Sequence, residues 1–302
     1  MTQPPNQAGG AAGSAILEQS ETDTLRDMIK NLEDIPSLPS VVSEVNKAIR
    51  NPRVDANSVG QIISRDQALS AKTLKLVNSA FYGFPGKINS VTRAIIVMGF
   101  QRVRNLVLTA SVLENFKGRS AAFDFGGFWR HSLGTAISAE ILCKELALQE
   151  TDDAFVAGLL HDIGKLLIAL YAPETFGKVC KGVTENNCLM LEVEERVLGI
   201  THAVAGAWLA NTWQFPPKLT HAIRMHHNPK EVREHHEIVY LTHCADIICR
   251  ALDFGNGGDK KIPKINGHVW KALKIDRDVL ERSMEQILEA LDKAKDFLRL
   301  LQ

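Results

Sequence analysis

The chain has 302 residues, enough for one large domain or two small ones with a real core. Apolar content of 45% and charged content of 23% are ordinary for a soluble globular protein, and the balance of 35 basic against 35 acidic residues argues neither for nor against a polyanionic partner. Five cysteines, an odd number with no Cys-x-x-Cys pair, exclude a disulfide framework and fit the reduced thiols of a cytoplasm.

Residues 1–22 are rich in Pro, Gly, Ala and Gln without apolar periodicity and read as a flexible tail. No basic region followed by an apolar one opens the chain, so no signal peptide is expected and the cytoplasm is the expected location. A first helical block is expected over 23–117, with helices near 22–32, 41–49, 55–63, 68–76, 91–98 and 103–113. Between Gly60 and Arg119 nine basic residues face two acidic ones, which reads either as a solvated helix face or as a surface for an anion or a neighbour. A composition break at 118–127 precedes a second block over 125–252. Its expected helices run 128–147, 152–171, 174–186, 190–198, 201–213, 216–227 and 237–251. Residues 253–302 read as a flexible glycine-rich loop and closing helices, the last spanning 276–301 with Leu280, Met284, Leu288, Leu291 and Phe297 on its buried side. Strand signals are nearly absent, so the expected fold is all-α with two helical subdomains.

Within the apolar run 155–172, His161, Asp162 and Lys165 need an explanation. Burying such groups without partners costs about 2–7 kcal/mol for a neutral polar group and more for an ion. The run is as long as a membrane span, but its central charges argue against one. A neutral imidazole beside a carboxylate is a ligand pair for a divalent metal, and binding a cation removes the penalty. His131 stands near a helix start, His202 opens a helix, His226 and His227 close another, and Asp246 interrupts the apolar helix 238–248. Five helices thus each present an imidazole or a carboxylate, and helical bundles build metal centres from such inward-projecting side chains. His243, three residues before Asp246, shares a helix face with it and reads as a supporting or structural group.

The order His, His-Asp, His, His-His, Asp over residues 125–250 resembles the HD superfamily of metal-dependent phosphohydrolases, and the full set resembles its two-metal HD-GYP members. The stretches Ile35-Pro36-Ser37-Leu38-Pro39, Ile62 to Leu69, Leu76-Val77-Asn78-Ser79-Ala80-Phe81-Tyr82-Gly83 and Ala94 to Gly99 resemble the HDOD family, whose name marks an HD-related output domain. The second subdomain is therefore expected to be an HD-superfamily helical bundle. HDOD domains commonly lack the metal ligands and act as regulatory modules in bacterial signalling, whereas this chain keeps all seven. It lacks Gly-Tyr-Pro after His227, so the resemblance does not extend to HD-GYP-style hydrolysis of cyclic dinucleotides.

Two functions follow from the resemblance: a signalling output module with a metal site, or an active metal-dependent phosphohydrolase on a nucleotide or another phosphoester. In the second, two cations about 3.5–4 Å apart would serve an in-line phosphoryl displacement. Asp162 would be the bridge, His161, Asp246 and His131 would serve one ion, and His202, His226 and His227 the other; sequence order alone does not assign them. Lys165, one helical turn after His161, is either a phosphate-holding catalytic group or a surface lysine, with Arg130 and Arg224 as weaker candidates for the same work. The donor set suits Fe, Mn, Zn, Ni or Co rather than Mg or Ca, and the binuclear relatives imply iron or manganese. Expected partners are signalling proteins or a small phosphorylated ligand, with nothing pointing to nucleic acid or a membrane.

Overall fold

A computed structural model describes residues 38–79, 81–116, 123–149 and 151–294, and every regular element among these is a helix. The expected tail, the helix at 22–32, Phe297 and the end of the closing helix lie outside the described residues. The first block contains α1 (Ser40–Ile49), α2 (Ala56–Ser64), α3 (Gln67–Val77), α4 (Val91–Met98) and α5 (Phe100–Asn115). Asp55, Asp66 and Ser90 cap α2, α3 and α4 by accepting from the Ser58, Leu69 and Arg93 amides, each cap contributing about 0.5–2 kcal/mol. Gly99, at φ +86, ends α4 and starts α5 in one residue, a turn that a side chain would strain. The segment after α3 is held by Asn78, whose amide nitrogen donates to Leu74 O and Ile88 O while its oxygen accepts from Ile88 N.

The second block is built on α6 (Phe125–Glu145), which is buried along most of its length and packs against α7 (Thr151–Leu160), α13 (His236–Ala251) and α15 (Arg277–Lys293). Between these lie α8 (Ile163–Tyr171), α9 (Pro173–Asn186), α10 (Met190–Leu198), α11 (His202–Thr212), α12 (Pro217–Met225) and a short 3-10 turn, Pro229–Glu231. α14 (Gly267–Ala272), a six-residue helix too short for apolar periodicity to reveal, precedes α15.

The two blocks share one hydrophobic core running from Val41 to Ala294. At their seam Arg102 Nε lies 3.1 Å from Asp152 Oδ1 and its NH2 lies 3.2 Å from Glu140 Oε1, Arg104 pairs with Asp153 at 2.8 Å, and Asn105 Nδ2 donates to Asp152 O. Part of the basic run therefore faces the acidic first turn of α7 rather than an external anion.

Two expectations need correction. The helix expected over 152–171 is broken at His161-Asp162. His161 Nδ1 takes Gly158 O at 2.7 Å, the carbonyl an unbroken helix would offer to the Asp162 amide, so the side chain competes with the backbone and the chain turns. The combined run Asp152–Tyr171 is long and apolar enough to cross a membrane, yet 89% of that window is buried inside the protein. In α15, Leu288 is not on the buried side but 53% exposed. The buried stripe is Ser283, Ile287 and Leu291, and Leu288 stands one residue, about 100°, off it.

Candidate metal centre

Close helix crossings bring the expected ligands together. A Cβ on Gly164 would lie 1.9 Å from His202 O and 2.6 Å from Gly206 N, and one on Gly158 would lie 2.7 Å from Ala136 Cα. Only glycine permits these approaches, which press the α7–α8 corner against the start of α11 and the middle of α6. The corner presents His161 and Asp162, the second turn of α6 His131, the first residue of α11 His202, the end of α12 His226 and His227, and α13 Asp246. Six of the seven are buried, and His227 is partly exposed.

They form two groups, His131, His161 and Asp246, and Asp162, His202, His226 and His227, with the ligand atoms of each within 4.8 Å of one another. Asp162 joins them. Its Oδ1 lies 3.1 Å from His202 Nε2 and 3.8 Å from His226 Nε2, while its Oδ2 lies 3.6 Å from His131 Nε2 and 3.3 Å from His161 Nε2. Asp246 Oδ1 is 3.1 Å from His131 Nε2 and 3.8 Å from His161 Nε2. The Nε2 atoms of His202 and His227 are 3.0 Å apart.

The donor chemistry fits a pair of cations. His161 Nδ1 lies 2.7 Å from Gly158 O and His226 Nδ1 lies 2.8 Å from Ile223 O. A carbonyl only accepts, so both Nδ1 atoms carry the proton and both Nε2 lone pairs point into the pocket. There the Nε2 atoms of His131, His161 and His226 and Oδ1 of Asp162 are buried without a well-formed hydrogen bond. Three of these, Nε2 of His161 and His226 and Oδ1 of Asp162, are acceptors, and their convergence on one place is costly unless a cation is what they face.

Electrostatics point the same way. Burial pushes the His226 and His227 imidazoles well below their ordinary pKa, and crowding by other histidines adds to it, so both are neutral at neutral pH. Burial also lowers His131, against the opposing pull of Asp246. Burial raises the Asp162 carboxyl, but His161, Lys165 and His202 outweigh it and hold the group well below the usual carboxylate range. Asp246 is likewise held low, with Arg250 the leading force against its burial.

Several participants escape inspection of the sequence. Glu194, fully buried in α10, accepts from His202 Nδ1 at 2.6 Å and from the His202 amide at 3.0 Å. It raises the His202 pKa although burial opposes it. The one available signal was its place on the apolar stripe of Met190, Val193 and Leu198. Arg250 Nε holds Asp246 Oδ1 at 3.1 Å, and its other nitrogens reach Asp259, Lys261 O and Gly257 O. Lys165 is no surface lysine: 2% exposed, it sits 2.5 Å from Asp162 Oδ2 and 2.6 Å from Gly257 O. His243 is structural, its Nδ1 on His226 O and its Nε2 accepting from the Asn266 amide. Arg130 is exposed, and His221, His235, His236 and His268 belong to neither group.

The loop expected to be flexible is instead pinned over the pocket. A Cβ on Gly255, at φ +90, would meet His131 N at 2.2 Å, and the Asn256 amide donates to Gly127 O at 2.8 Å. On the other side, a cleft of about 660 Å³ reaches His227 and Asp246. Its walls include apolar Leu189, Ile200, Val204 and Ile247, two cations, Arg224 and Lys264, and two acids, Glu195 and Glu231.

The HDOD domain model matches residues 35–229. An HDOD domain protein of Geobacter sulfurreducens with unknown function superposes with a TM-score of 0.79 at 24% identity, over 92% of this chain and 98% of its own. A candidate phosphohydrolase of Shewanella amazonensis SB2B gives 0.73 at 25% identity, over 92% and 98%. An uncharacterized protein of Treponema pallidum is 29% identical over 249 residues, 82% of this chain and 48% of that one, so the chain spans about half the length of that curated relative.

Proposed function

The chain belongs to the HDOD family, and from that membership and its seven convergent ligands we propose a metal-dependent phosphohydrolase of bacterial signalling, working in the cytoplasm on a phosphoester. One observation carries this: each oxygen of the Asp162 carboxylate faces its own set of buried imidazoles. His131, His161 and Asp246 would hold one divalent ion, His202, His226 and His227 the other, and Asp162 both. Bound there, two ions supply Lewis acidity toward a phosphoryl oxygen and lower the pKa of a water. Iron or manganese is the favoured pair by family resemblance, and the donor set also accommodates Zn, Ni or Co.

The chain's own residues do the rest. Gly158 O, Ile223 O and Glu194 fix the tautomer and tilt of three imidazoles. Arg224 and Lys264 supply positive charge to phosphate oxygens in the cleft, and its apolar wall takes the organic part of the ester. Lys165 holds Asp162 in place and is the nearest ammonium to a phosphoryl group reaching that carboxylate. The likeness to a candidate phosphohydrolase supports the reaction class.

A partner-binding output module is the second reading, favoured by the way Lys165 and Arg250 already neutralise both pocket carboxylates. One experiment separates the two. Protein purified without a His-tag is assayed for metal, then screened on phosphoesters beside Asp162→Ala. The hydrolase requires about two transition-metal ions per chain and activity that Asp162→Ala abolishes. Metal without such activity leaves the output module, and failure to bind added Fe or Mn ends the enzyme reading.

A further inference from the structure

The surroundings of the two ligand groups are not equivalent. The two cations bonded to the pocket carboxylates, Lys165 and Arg250, both sit on the side of His131 and His161. Lys165 Nζ lies on Asp162 Oδ2, the oxygen nearest His131 and His161, and Arg250 Nε lies on Asp246 Oδ1, the oxygen facing the same two imidazoles. In the other group, among the described residues, no cation is bonded to His202, His226 or His227, and Arg224 and Lys264 only line the cleft that reaches His227. Glu194 backs His202, and Asp162 Oδ1, which faces this group, is an orphaned acceptor. An anion behind a ligand imidazole strengthens its donor nitrogen, whereas a cation on a ligand carboxylate competes with the incoming ion.

The same two cations hold the loop. Gly257 O accepts from Lys165 Nζ at 2.6 Å and from Arg250 NH2 at 3.1 Å. Arg250 NH1 further bonds Asp259 Oδ1 and Lys261 O, both at 2.9 Å. The Asp259 side chain is 1% exposed, so this is a built anchor and not a surface contact.

Resting on the metal reading above, we propose that the ions load in a fixed order and that the second opens the loop. The first occupies the site of His202, His226, His227 and Asp162 Oδ1. The second, at His131, His161, Asp246 and Asp162 Oδ2, must draw Lys165 and Arg250 away from the carboxylates, and in doing so it loosens residues 255–261 over His131. Lys165 is then free to meet an anion. The pocket thus senses its own metal content and reports it through a surface loop.

The test is a titration of chelator-stripped full chain with Co²⁺ alone, read by visible absorbance and calorimetry, with amide hydrogen exchange followed at each equivalent. Two resolved steps are expected, the second at least about tenfold weaker, and exchange over 255–261 should quicken only on the second. Glu194→Gln should weaken binding at the His202 site by about 10–100-fold and so narrow or abolish the separation of the two steps. Asp259→Asn loosens the Arg250 anchor without removing a pocket charge and should speed loop exchange before any cobalt is added. Two equal steps, or loop protection unchanged through the second equivalent, would overturn the order and its coupling to the loop while leaving the metal site standing. A chain that takes up no cobalt at all overturns the metal reading itself.

Discussion

The crossing of α8 and α11 is the most demanding contact in the centre, and Gly164→Ala tests it. The added methyl would sit 1.9 Å from His202 O and 2.6 Å from Gly206 N, both backbone atoms that no rotamer change can move. Reaching ordinary contact requires the helices to part by roughly 1.5 Å, an overpacking change of the kind that costs about 1–3 kcal/mol. Alanine's better helix propensity returns up to about 1 kcal/mol, so a net loss of about 1–2 kcal/mol is expected. For a chain of 302 residues that is a fall in Tm of about 2–3 °C. Parting the helices also lengthens the 3.1 Å approach of His202 Nε2 to Asp162 Oδ1, so the tighter cobalt step should weaken at least about tenfold. Gly177→Ala is the control, because nothing lies within 4 Å of its Cβ position on the exposed face of α9. It should be neutral or slightly stabilising in the same scanning calorimetry. A Gly164→Ala protein with wild-type Tm would refute the packing argument; one with lowered Tm and unchanged cobalt affinity would refute the claim that this crossing sets the ligands.

Other outcomes follow from the same geometry. His131, His226 and His227 have folded pKa values below their unfolded value near 6.5, so the unfolded chain binds more protons and stability falls as pH drops through that value. Only His202 pulls the other way, and Asp162 and Asp246 add to the loss below about pH 4. The urea midpoint of metal-free protein should therefore decline from pH 7.5 to 5.5, and a flat profile would contradict the burial of neutral imidazoles. Burial pushes the Cys244 and Cys249 thiols up to about 12, and Cys143 is also buried, so in native protein a thiol reagent at pH 8 should label Cys180 and Cys188 alone. Labelling of all five without denaturant would show the core to be open. Asn78→Ala removes the two hydrogen bonds that tie Ile88 to α3 and a third to Leu74 O, and should cost about 1–3 kcal/mol, measurable by urea unfolding.

How far the chain could be read from its letters depended on contrast. Histidines and aspartates inside apolar helices stand out, and the order of those seven residues was enough to suggest a shared pocket before any coordinates. The all-α class and most helix positions were equally plain from periodicity. Glu194 was not, because it lies among Glu192 and Glu195 and looks like one more solvated acid until its phase along α10 is counted. Arg250 resembled an ordinary basic residue closing a helix. The break at His161-Asp162 was invisible because the apolar period runs straight through it. Gly255 misleads for a physical reason: glycine permits freedom, but it equally permits another backbone to come within touching distance, and here the second property is the one in use.

Helix α6 also works as a single stiff beam with a load at each end. His131 projects from its second turn, and nine residues further on, about 13 Å along the axis, Glu140 grips Arg102 of the first block. A pull on that arginine would be carried along the helix toward an imidazole it never touches. Removing the grip with Arg102→Ala should accordingly shift cobalt affinity at the far end, and unchanged affinity would mean that the beam is idle.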